Sequence, residues 1–192
     1  ANKSINNIKS LNFFKNVNSE VIDGKTPETK IINVTVEEKA TGEITAGAGV
    51  GTSGSSISFG VKENNYLGSG INLSTNVALS EETLKGEFSV INPNFRNTDK
   101  LIRFSAEAIE IDRLETYGYK TNKTGFSFGT SFEFLDKFDI GLGNSNYYEK
   151  IETDSTASAR QKTQEGNYWD TFLNLNFDYD KRNQKFQASD GF

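Results

Sequence analysis

The chain has neither cysteine nor histidine among its 192 residues. Disulfide scaffolds, thiolate zinc sites, cysteine nucleophiles and Ser-His-Asp triads are therefore excluded, although the redox compartment is left open. Methionine is absent too, even at position 1. The first residues, ANKSINNIKS, already read as helix, with no leader before them. The expectation is a partial or processed segment, whose destination a missing targeting signal does not reveal. Proline is scarce, with two residues against 17 glycines, a balance that fits many strands and tight turns better than disorder. Apolar residues reach only 34%, and no stretch approaches the roughly 18 apolar residues of a membrane helix. Transmembrane strands give a weaker hydropathy signal and stay open as an alternative. The net charge of −5 is spread along the chain without a basic run, so no nucleic-acid partner is expected.

What is present is alternation. Residues 1–39 form a separate pattern: Ile5, Ile8 and Leu11 at helical spacing, then Phe13-Phe14, then Val17, Ser19 and Val21 along a strand. Asp23-Gly24 and Pro27 supply turn chemistry, and Ile32, Val34 and Val36 alternate after it. Helix, strand, turn, strand is half of a small α+β unit, with the other half expected upstream.

From residue 42 onward, period-two segments follow one another. Ile44, Ala46, Ala48 and Val50 oppose Thr45, Gly47 and Gly49; Ile57, Phe59 and Val61 oppose Ser58 and Gly60. Further rows run through 71–80, 84–90, 102–108, 126–134, 138–143 and 173–180, giving eight predicted strands. One face of each is apolar, and the other carries Gly, Ser, Asn or charge. The connections near 64–70, 94–100 and 135–137 are short, whereas those predicted at 112–125 and 150–170 are long. Short turns at one end and long loops at the other fit an up-and-down transmembrane barrel. A soluble sandwich with a polar outer face is the competing reading. The stretch NNYLGSG favours the barrel, because Tyr66 and Leu67 in a turn suit a membrane boundary better than water. Tyr66 and Phe95 are then interface aromatics at one boundary, and Tyr147, Tyr148 and Trp169 at the other.

Five stretches, in order, resemble the BamA-like outer-membrane assembly factors. INNIKSLNFFKNVNSEV is similar to the end of that family's last POTRA domain, and IINVTVEEKATGEITAGAGVGT to the junction into the first barrel strand. NNYLGSG resembles the family's N-x-L-G-x-G turn, INPNF its NP-x-F, and FDYDKRNQKFQASDGF its YD-x-RD segment, with Gln187-Ala188 where Pro-Thr is usual. The resemblance implies an all-β, antiparallel up-and-down transmembrane β-barrel, present here in part, preceded by an α+β POTRA remnant. It assigns 1–39 to the end of a POTRA domain and 40–192 to the first half of an outer-membrane barrel. It implies folding and insertion of unfolded outer-membrane proteins, with assembly-complex lipoproteins and outer-membrane lipid as partners and the N-terminal segment in the periplasm. Translocation pores of the two-partner-secretion or TamA type share this architecture.

The first barrel strand, with Gly42, Ile44, Ala46, Gly47, Ala48, Gly49, Val50 and Gly51, is the candidate site. Glycine makes it a poor strand former. Small residues can simply fit barrel curvature. The resemblance instead implies a seam whose freed edge templates an incoming strand through main-chain hydrogen bonds. No catalytic residue, cofactor or metal site is expected. DYDKRNQKFQASDG lacks the glycine and terminal glutamate of a Ca²⁺ loop. Arg103, Glu87, Glu107 and Glu133 are expected as a hydrated ion-pair network on the polar face, and Glu81-Glu82 as solvated loop carboxylates.

Overall fold

The computed structural model describes residues 2–26, 28–51, 54–182 and 191. Pro27, part of the loop GTSGSS, most of the stretch from 183 onward and Phe192 lie outside the described residues. The chain divides into two compact units, Ala1–Gly42 and Glu43–Phe192.

In the first unit, α1 (Asn2–Ser10) lies against β1 (Phe14–Asp23), which pairs antiparallel with β2 (Lys30–Glu38). Ile5 and Ile8 are half-buried, as their spacing requires. The β1–β2 connection closes through Gly24 N donating to Thr29 O at 2.9 Å. Lys15 Nζ lies 3.0 Å from Glu37 Oε1 across the pair.

The second unit is one sheet of eight strands: β3 (Gly42–Gly51), β4 (Gly54–Tyr66), β5 (Ile71–Ser80), β6 (Thr83–Asn92), β7 (Leu101–Arg113), β8 (Tyr119–Leu135), β9 (Phe138–Thr153) and β10 (Gly166–Tyr179). Every strand pairs with its sequence neighbours, from β3 at one edge to β10 at the other. The registers from β4 to β10 are antiparallel. No pairing joins β3 to β10 among the described residues, so the sheet is an open part of a barrel.

Register sorts the side chains into two faces. One cross-strand row runs Phe88, Ala106, Phe126, Asn146, Thr171; the row before it runs Val90, Phe104, Phe128, Asn144, Leu173. The opposite face carries Ser74, Ser89, Ser105, Ser127 and Ser145 in one continuous line. A soluble sandwich would interlock its apolar face with a second sheet. Here that face stands open: Leu173 is 84% exposed and Val50 89%. Among the described residues no large side chain is fully buried, and Ala157 is the buried apolar residue. Each Å² of apolar surface left in water costs about 25 cal/mol, so this surface belongs in hydrocarbon. The sandwich alternative is thereby overturned.

The apolar band has a membrane's height. Phe138 and Tyr148 lie on the same face of β9, and their cross-strand partners on β10 are Tyr179 and Trp169. Ten residues of strand, tilted by about 45°, rise about 24 Å, close to the band between aromatic girdles of about 25 Å. At the lower girdle Phe138 stacks on Phe177, with centroids 6.0 Å apart and planes at 10°.

Two predicted long loops are shorter than expected. β8 begins at Tyr119, so only 114–118 connect it to β7, and β9 continues to Thr153. Lys120, Asn122 and Thr124 pair with Asp112, Glu110 and Ala108 respectively. These extensions rise past the apolar band, where both faces meet water and no alternation is needed to keep the ladder.

Phe128 sits near mid-band, so Phe128→Arg is expected to cost about 2–4 kcal/mol of folding free energy. Ser105→Arg, on the polar face, is expected to cost far less. Urea-titrated folding into phospholipid vesicles measures both.

Candidate functional site

β3, the first strand of the sheet, is rich in small residues. Gly42, Ile44, Ala46, Ala48 and Val50 share the apolar face, and Gly47, Gly49 and Gly51 lie on the other. A Cβ added at Gly49 would meet Ser56 Oγ at 3.4 Å, ordinary contact, and one at Gly51 would meet nothing within 4 Å. At Gly47 it would reach Ser58 Oγ at 3.0 Å, a small hydroxyl that can rotate. None of these three glycines has positive φ. Neither packing nor backbone conformation in this sheet requires glycine at 49 or 51. The close fit is on β4: a Cβ at Gly60 would approach Thr45 Oγ1 to 2.7 Å. β10, by contrast, is bulky, with Trp169, Leu173, Leu175 and Phe177 on its apolar face.

The expected interface aromatics separate by face. Tyr66 ends β4, opposite Ile71, and leads into a turn where Leu67 takes φ 53° and is 85% exposed. Gly68 N donates to Asn65 O at 2.9 Å, and Gly70 N to Asn65 Oδ1 at 2.7 Å. Phe95 opens a 3-10 turn (Phe95–Asn97) with Arg96 over its ring at 5.3 Å. Tyr148 and Trp169 are direct cross-strand partners on the apolar face. Tyr147 does not join them, because consecutive strand residues face opposite ways. It lies on the polar face over Gly125, whose absent Cβ leaves the room, with Lys123 Nζ 4.3 Å from its ring centroid and Phe172 at 6.1 Å. The expectation for Tyr147 is corrected accordingly.

The polar face carries Arg103, Glu87, Glu107 and Glu133, but the expected network is sparse. Glu87 pairs with Lys85 at 2.6 Å and directly opposes Glu107. Glu133 Oε1 accepts from Lys137 N at 2.7 Å. Among the described residues Arg103 joins no ion pair.

Sequence reasoning missed the stitching of the loop end. Glu81 Oε1 accepts from Ser55 N at 3.2 Å, tying the start of β4 to the β5–β6 turn. Glu82 Oε2 takes Arg113 Nε at 2.7 Å, and Glu82 O accepts from Asp112 N at 2.7 Å. Arg113 Nη1 also reaches the Tyr119 hydroxyl at 3.2 Å. The two carboxylates are braces, not solvated bystanders. The chain of contacts continues past α2 (Leu114–Tyr117), where Gly118 has φ 73° and its carbonyl accepts from Asp154 N at 2.8 Å. A Cβ at Gly118 would sit 2.4 Å from Ala157 N. Asp154 Oδ1 accepts from Thr156 N at 2.7 Å and from its hydroxyl at 2.6 Å. These bonds, the hydroxyl's foremost, hold the Asp154 carboxyl below its ordinary value. A capping box from Ser158 and Gln161 opens α3 (Ala159–Lys162).

Residues 65–192 match the Omp85 superfamily domain. The chain belongs to the Omp85 superfamily. Among solved structures it is similar to BamA from Haemophilus ducreyi lacking POTRA domains 1–3, with TM-score 0.69 and 20% identity over 99% of this chain and 40% of that one. It is also similar to CdiB from Acinetobacter baumannii, with TM-score 0.53 and 13% identity over 90% of this chain and 36% of that one. The chain thus spans well under half of either relative. It is part of an Omp85-type outer-membrane β-barrel, and the polar face is the lumen face.

Gly118→Val is expected to undock the β9–β10 loop, because it combines a positive-φ penalty of about 1–3 kcal/mol with a backbone clash. Limited proteolysis between 154 and 165 reads this out. Asp154 titrates below its ordinary value of 3.8, so the folded loop favours its ionised form. Its contribution is present above that pH and lost as the pH falls through the lowered value. Acid should increase cleavage in the wild type and leave Asp154→Asn nearly unchanged.

Proposed function

We propose that this chain belongs to an outer-membrane assembly factor that folds and inserts unfolded β-barrel proteins by strand templating along β3. The observation that carries the reading is the pair of glycines at 49 and 51, on the strand that begins the sheet, that its packing does not require. Glycine in a strand loses about 0.5–1 kcal/mol relative to alanine. A strand that keeps unneeded glycines is cheap to unpair. In hydrocarbon an unpaired edge costs several kcal/mol per polar group, which drives a freed β3 to take the next available strand. An unfolded outer-membrane protein supplies one. The step is exchange of main-chain hydrogen bonds, with no covalent chemistry and no nucleotide.

In this reading the 1–39 unit is the end of a periplasmic POTRA domain that delivers substrate, and assembly-complex lipoproteins bind on that side. Catalytic residues and cofactors have no place in it. A two-partner-secretion or TamA-like pore is the competing activity, and it needs a passage through the lumen more than an exchangeable edge.

In the full-length protein, Gly49→Ala with Gly51→Ala is expected to raise the unfolding temperature in detergent while lowering the yield of several unrelated outer-membrane proteins in cells. Cysteines at Ala46 and Ala48 should cross-link to strands of nascent barrels. Loss of one secreted polypeptide, with bulk barrel assembly intact, would assign the chain to the pore class instead.

A further inference from the structure

The outward face of β8–β10 interrupts its own apolar pattern. Asn144 and Asn146 share that face with Leu142 below and Tyr148 above, and with Phe128 and Leu173 across the strands. By strand rise and tilt they lie about 10 Å and about 5 Å inside the Tyr148–Trp169 girdle. Polar side chains at such depth are costly and are a mark of function. These two form a ladder: Thr171 Oγ1 donates to Asn146 Oδ1 at 3.0 Å, Asn146 Nδ2 to Asn144 Oδ1 at 2.5 Å, and Asn144 Nδ2 to Phe172 O at 3.3 Å. Each amide has two N–H donors, and each uses one here. The ladder therefore offers two spare donors to the hydrocarbon.

Directly below lies an apolar groove of about 520 Å³ between Ile102, Phe128, Thr130, Leu142, Leu173 and Leu175, with Asn144 at its upper end. Thr130 makes it, being a short side chain in line with Phe126, Phe128, Phe132 and Phe134. From bottom to top, the surface presents an apolar groove, two amide donors, then a Tyr–Trp pair.

We propose that this surface is a binding site for one membrane lipid. Its acyl chain lies in the groove, and its ester or amide carbonyl accepts from Asn144 and Asn146. The donor surplus selects the ligand: an acyl linkage brings acceptor oxygens and needs no donor in return. Its depth also fits, since such carbonyls lie just inside the headgroups. A second barrel is a poorer occupant, because two convex walls meet along a line and leave a groove unfilled, whereas a flexible chain fills it. The inference rests on the barrel reading of the outward face and is independent of the assembly activity.

Trp169 is the chain's single tryptophan and sits at the head of the site, so it reports occupancy. Full-length protein, with any other tryptophan replaced by phenylalanine, is placed in vesicles of ether-linked phosphatidylcholine, whose linkages carry no carbonyl. These carry a small fraction of phosphatidylcholine brominated in the upper acyl chain, either ester-linked or ether-linked. The ester guest should be enriched about eightfold over its bulk fraction, the value of two membrane hydrogen bonds, and quench Trp169 accordingly. The ether guest should quench only as its bulk fraction dictates. Asn144→Leu with Asn146→Leu, which leaves the face apolar, should remove the difference. Equal quenching by both guests in the wild type, or a preference that survives the double substitution, would overturn the site while leaving the barrel intact. No quenching by either would overturn the membrane-facing assignment and the site with it.

Discussion

The backbone hydrogen-bond ladder from β3 to β10 is the constraint on which the rest depends. It satisfies the polar main chain without help from solvent, and this alone allows a strand to cross hydrocarbon. Because the ladder does the joining, the side chains need not form a core. That is why a 192-residue chain can present phenylalanines and leucines along eight strands and still bury almost none of them. In water the same arrangement would collapse or aggregate; between two girdles about 24 Å apart it is at rest.

The ladder also fixes where chemistry can be placed. Interior strands are held on both sides, so their variation is spent on faces: serine and glycine toward the lumen, aromatic and branched residues outward. Only edges are free to exchange partners. β3 is rich in glycine and alanine, so main-chain bonds are a large share of what a departing or arriving strand must trade. At the loop end the logic reverses. There Glu81, Glu82, Arg113, Gly118 and Asp154 stitch successive connections together, holding one end of the sheet while the strands between remain slender.

Much of this was legible in residue order, for a physical reason. Wherever one face is apolar and the other polar, period two survives in the sequence, and all eight strands are legible on it; the family is legible separately, in short ordered stretches such as NNYLGSG and INPNF. The signal failed wherever both faces meet the same surroundings. Residues 119–125 and 150–153 are wet on both sides, so strand there reads as loop. Tyr147 and Tyr148 read as a pair of equal aromatics, and only the register, with Gly125 opposite, sends one into the lumen. The acidic pair at 81–82 looked solvated because its partners, Ser55 and Arg113, are distant in sequence. Asn144 and Asn146 had no signal, since an asparagine in an alternating strand declares a face only after its neighbours are paired.

The central claim is that hydrocarbon, not protein, covers the outward face. Nitroxide scanning of Phe138 to Tyr148 in vesicle-reconstituted full-length protein tests it most directly, comparing collision with oxygen, which concentrates in the bilayer, and with a water-soluble nickel chelate. Positions 138, 140, 142, 144, 146 and 148 are expected to favour oxygen, and the positions between them nickel, in strict alternation along β9. A trace without alternation, or one with oxygen favouring the glycine and serine positions, would contradict the account.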